Sequence, residues 1–136
     1  MTSKSDTKKM FLCLCAYEEA VFKSWTPADH AAVVEACTPH DKKLRATGKV
    51  LVNTSLSEPE TARTIRPGKD GPVVTTGPYA PTPEPFGAIF IVEAADIDEA
   101  VRIAALHPGV NAPQFQRMKG GIEVRELAYF ELQARS

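Results

Sequence analysis

A chain of 136 residues falls in the size range of one compact domain, long enough to bury an apolar core without staples. Sixteen Lys and Arg face seventeen Asp and Glu, and a formal net charge of -1 provides no broad field to draw in nucleic acid or an anionic membrane. No apolar run approaches the ~20 residues that cross a bilayer, and the polar N-terminus has no apolar stretch behind its lysines, so the expectation is a cytoplasmic protein with no membrane partner.

Residues 1–136 read as a single domain with tails at 1–8 and 130–136. Lys9 to Tyr17 is a nearly continuous apolar run, the pattern of a central strand covered by helix on one face and by a partner sheet on the other. Cys13 and Cys15 lie two apart within it and would share a face. With Cys37 they make an odd count, and a disulfide across that spacing would strain an extended chain. They read as buried thiols, with metal or redox chemistry as the alternative.

Thr26, Pro27 and Asp29 supply a hydroxyl cap, a proline at the first helical position and an acid in the first turn. The helix they start should run toward Gly48, with Ala31, Val34, Cys37 and Leu44 inward and a kink or split at Pro39. Lys49 to Ser55 reads as a second strand. Ala62 to Arg66 and Val73 to Thr76 read as a hairpin around Gly68 to Gly71. Four prolines between Gly77 and Pro85 make a stiff loop. Phe86 to Ala94 is the strongest strand signal. Asp96 then caps a helix with Ile97, Ala100, Val101, Ala104 and Ala105 at helical spacing. A polar loop from Asn111 to Lys119 leads to a last strand at Gly121 to Leu127.

This order is that of a split βαβ unit. The fold class expected is α+β, a ferredoxin-like βαββαβ chain with an antiparallel sheet and both helices on one face. The apolar opposite face needs a cover, and a second copy of the chain packing sheet to sheet would supply it.

Phe11-Leu12-Cys13-Leu14, Leu44 to Gly48 and Ala62 to Arg66 stand ahead of Val74-Thr75-Thr76-Gly77-Pro78-Tyr79, and Glu84, Gly87 and Val92 to Ala100 follow. Together with His107-Pro108 and Ile122 to Arg125, they make the chain resemble the YCII-related proteins, more narrowly their DGPF-type branch, from Met10 to Leu127. The resemblance implies a homodimer built as a dimeric α/β barrel, with the signature loop beside a cleft near the subunit interface, and no defined reaction. Where that signature has an acid ahead of Gly-Pro-aromatic, this chain has Thr76. The Lys-Glu pair usual a few residues later is Pro83-Glu84, and the glycine pair is Gly87-Ala88.

Glu84 is thus the ionisable group left in the loop. It can serve as a general acid or base if a pocket raises its pKa, or it faces solvent or caps an amide. His30 stands loosely where the YCII branch carries a helix-borne histidine, and is otherwise a surface residue beside Asp29. His107 follows the second helix, where a cation complements the carbonyl end, and His40 reads as surface. Arg66 and Arg63 can fork onto a carboxylate or phosphate, or pair with Glu84 or Glu93. Tyr79 and Phe86 line an apolar cleft or belong to the core. No nucleotide, metal or cofactor site is expected, and no direct nucleic-acid contact.

The function expected is binding of an unidentified small molecule near the dimer interface, at Thr76, Tyr79, Arg66 and Phe86. The alternatives are an enzyme using Glu84 and a protein partner in transcription control.

Overall fold

Alternate residues of the first strand face opposite ways, with Phe11, Cys13 and Cys15 buried and Leu12 and Leu14 partly exposed on the other face. In the computed structural model, which describes residues 8–133, this strand is β1 (Lys9–Tyr17). Next come α1 (Glu19–Ser24), α2 (Pro27–Ala46), β2 (Val50–Ser55), β3 (Arg63–Arg66) and β4 (Val73–Thr76). They are followed by β5 (Phe86–Ala94), α3 (Ile97–Ala104), α4 (Pro113–Gln116) and β6 (Gly120–Glu126), with 3₁₀ turns at Pro59–Thr61 and Pro108–Val110. The expected tails lie outside the described residues, except for Lys8 and the exposed stretch 130–133.

Four strands form one antiparallel sheet in the order β2-β5-β1-β6, so β1 runs between two strands from the second half of the chain. Phe11, Cys13, Phe90 and Val92 of the sheet pack with Leu44 of α2 and with Ala100, Ile103 and Ala104 of α3. Both longer helices therefore share one face, an α+β arrangement compatible with the ferredoxin-like order. On the other face Leu12 lies opposite Ile91 and Leu14 opposite Ile89, all four partly exposed. The hairpin β3–β4 pairs only with itself and stands apart from this sheet.

The start of α2 is a capping box. The Asp29 N–H donates to Thr26 Oγ1 at 3.2 Å, and the Thr26 N–H donates to Asp29 Oδ2 at 2.8 Å. Two expectations for this helix need correction. Pro39 sits inside it without splitting it, on the exposed side where water can satisfy the carbonyl that lacks its amide partner. Ala31 and Val34, both expected inward, face out, Val34 69% exposed, because Val33, Cys37 and Leu44 hold the inward stripe and each residue is turned about 100° from the one before.

A similar rotation affects α3. Ala100, Ile103 and Ala104 are buried, whereas Ile97, Val101 and Ala105, which share the helical spacing, are exposed. The Asp96 cap is present, accepting from the Glu99 N–H at 2.8 Å. The loop expected between Asn111 and Lys119 contains α4. Neither α4 nor α1 was anticipated, since helices of four and six residues are too short to display periodicity.

Candidate functional site

The last inward positions of β1 are Cys15 and Tyr17, and at this end the sheet and the helices part to leave a cavity of about 380 Å³. Cys15, Ala88 and Ile122 line it from three neighbouring strands, Cys37 from α2, and Phe22 and Phe115 from the two short helices. Ser55 at the end of β2 and Leu56 and Glu58 beyond it border it, as do His107 with Pro108 and Gly109 after α3.

Gly87 decides where Tyr17 goes: a Cβ at this position would lie 2.7 Å from two carbons of the Tyr17 ring. The bare strand lets the ring settle against β5, where it meets Phe22 edge-on with centroids 5.3 Å apart. Phe22 in turn packs on Trp25 at 5.4 Å, and Trp25 on Phe115 at 5.9 Å. Lys23 ties α1 across to the turn after β2, with its Nζ 3.2 Å from Glu60 and 3.5 Å from Glu19. The start of β6 is held by Glu18, whose carboxylate accepts from the Lys119 N–H at 3.0 Å. Gly120, at φ 138°, passes so near the Ala16 carbonyl that no side chain fits there.

The thiols and the phenol of the lining are held in their neutral forms. Burial pushes the Cys15 thiol up to about 12 and raises Cys37, so neither supplies a thiolate at neutral pH. Cys13, in the core behind them, is pushed up to about 12 by burial and by Cys15. Burial, then the charges of Glu19 and Glu58, raise the Tyr17 phenol. A hydrogen bond shared with Glu60 holds the Glu58 carboxyl above its usual range.

His107 corrects an expectation. It is not a cation at a helix end, because burial lowers its pKa and its ring stacks on Phe90 with centroids 4.8 Å apart. Its Nδ1 accepts from the Gly109 N–H at 2.9 Å, capping the 3₁₀ turn. In the neutral ring the proton is then on Nε2.

The loop and hairpin residues singled out from the sequence lie elsewhere. Arg66 and Tyr79 do come together: the guanidinium stands 4.2 Å from the Tyr79 ring centroid and donates to the Tyr79 carbonyl at 2.9 Å. Thr76 ends β4 opposite Arg63, which bonds the carbonyls of Thr61 and Ala62. Glu93 bridges Lys8 at 3.2 Å. Phe86 is exposed at the start of β5, beside the lining rather than in it.

Glu84 is exposed and outside the cavity, although its two neighbours dock on the end of β1 and the start of α1. Pro85 O accepts from the Tyr17 N–H and Pro83 O from the Glu19 N–H, both at 3.1 Å. His30 packs edge-on against Phe22 at 5.0 Å and Trp25 at 5.6 Å, behind the aromatic wall. His40 is half-buried in α2. Among the described residues no group of three His, Cys, Asp or Glu side chains is placed to hold a metal ion, and no helix is long and apolar enough to cross a membrane.

Sequence reasoning passed over Tyr17, Phe22, Cys37, Glu58 and Phe115 as site residues. The local signals available were Gly87, where a strand interior favours a side chain, and the His107-Pro108-Gly109 turn.

A comparison with protein families matches residues 10–130 to the YCII-related domain. The chain belongs to the YCII-related family. It is also similar to an uncharacterized protein of Rhizobium meliloti (strain 1021), 25% identical over 122 residues that cover 90% of this chain and 94% of that protein. The YCII-related match begins in β1 and ends beyond β6, so it takes in both the cavity and the proline-rich loop.

Proposed function

We propose that this YCII-related protein binds a small organic molecule in the cavity between Tyr17, Cys37, His107 and Phe115. The observation that carries this is the cavity itself. Its volume of about 380 Å³ is in the range of small-molecule sites, and its lining is chiefly apolar with a few convergent polar groups.

The partly exposed face of Leu12, Leu14, Ile89 and Ile91 supports a homodimer formed sheet to sheet, the dimeric barrel the resemblance implies. The stretch Val74 to Tyr79 supports the DGPF-type branch, and the free thiols of Cys13, Cys15 and Cys37 support a reducing, cytoplasmic location. An enzymatic reading rests on Glu84, which the docking of Pro83 and Pro85 on β1 and α1 holds close to the Tyr17 backbone.

The test is to release bound molecules by denaturing natively purified protein and to identify them by mass spectrometry. Ala88→Phe, which fills the cavity, is compared with Thr76→Ala and Glu84→Ala in the loop, each checked for native melting. A molecule lost from Ala88→Phe and retained in the loop variants supports the cavity. Loss confined to the loop variants moves the site to the loop. Should Glu84→Gln retain a ligand but no longer convert it, the enzymatic reading prevails.

A further inference from the structure

Resting on the cavity as the binding site, we infer that its ligand class is a flat aromatic molecule bearing a neutral or cationic amine, and that carboxylates and phosphates are excluded. Among the described residues no Lys or Arg lines the cavity, so an anion entering it would lose water without gaining a counter-charge. Lys23, next to Phe22 in α1, is already engaged by Glu19 and Glu60.

What the lining offers is one-sided. His107 has its Nδ1 committed to Gly109, leaving Nε2–H as a donor toward a ring nitrogen or an oxygen. Tyr17 adds a phenol and Ser55 a hydroxyl, while Glu58 provides a carboxylate at the edge. Phe22 and Phe115 border the space with aromatic rings, which suits a flat ring as occupant. Glu19 and Glu60 place two further carboxyl groups beside Glu58, with one ammonium, Lys23, among the three. An amine directed at Glu58 with its ring between Phe22 and Phe115 satisfies both parts of the site.

Three probes with one indole ring and a short arm isolate the charge: tryptamine, tryptophol and indole-3-propionate, titrated calorimetrically into the full chain at neutral pH and low salt. The expected order is tryptamine, then tryptophol, with indole-3-propionate weaker than tryptamine by about tenfold or more. Glu58→Gln should cut the tryptamine advantage to about threefold or less, and added salt should act in the same direction. Indole-3-propionate binding as tightly as tryptamine, in a manner lost in Ala88→Phe, overturns the charge selection and leaves the cavity as the site. Failure of all three probes to bind at millimolar concentration overturns the inference, and the released-ligand spectrum judges the cavity separately.

Discussion

The His107 imidazole lies nearly parallel to the Phe90 ring, 9° between planes, with centroids 4.8 Å apart, so a histidine that borders the cavity is also part of the core. Its lowered pKa makes it a source of acid sensitivity. Above its ordinary value of 6.5 the ring is neutral in both folded and unfolded chains, and no pH dependence arises from it. Below 6.5 the unfolded chain takes up the proton first. Stability should therefore fall with pH until the lower folded value is passed. In His107→Phe this contribution disappears and the Gly109 N–H loses its acceptor, at a cost of about 1–2 kcal/mol at neutral pH. Urea unfolding of both proteins between neutral pH and pH about 5 checks the slope and the offset.

Gly87→Ala should destabilise the fold by about 1–3 kcal/mol, because the new methyl would overlap the Tyr17 ring. Adding Tyr17→Leu, which withdraws the ring, should recover part of the loss. A double-mutant cycle that is strictly additive would mean that the two positions do not meet as described.

Thr26→Ala should cost about 1 kcal/mol, the usual loss when a helix cap of this kind is removed. Thr26→Asp should keep most of the stability, since a carboxylate can accept the same Asp29 N–H, less some repulsion from Asp29 itself. Denaturant midpoints of the three proteins decide.

On the sheet-to-sheet dimer proposed above, Ile91→Lys should leave a folded monomer. Ile91 lies opposite both Leu12 and Val52 on the face away from the helices, so a charge there would disturb the proposed partner sheet. Sedimentation gives the mass and circular dichroism the fold. A dimer that persists would indicate association through another surface.

Strands β1 and β5 were legible because each is an apolar run, and Phe86 to Ala94 coincides with β5. The capping box was equally legible, since its chemistry is confined to Thr26 and its neighbours. Helix faces were less so. In α2 the apolar Val33 and Val34 stand side by side, and only the sheet decides which one points inward. The cavity was illegible for a different reason. Tyr17, Cys37, Glu58, His107 and Phe115 come from five separate segments, so their convergence exists only after the strands have paired, and no local spacing encodes it.

The place of β1 between β5 and β6 sets the timetable of synthesis. The first strand emerges from the ribosome early, yet its first partner, β5, begins at Phe86 and its second ends at Glu126. At about 5–20 residues per second, an apolar segment waits on the order of 4–15 s with its amides unpaired. For that interval the nascent chain depends on α2 or on a chaperone to shelter Phe11 and Cys13. Conditions that slow translation near the proline-rich stretch before β5 would lengthen the exposure.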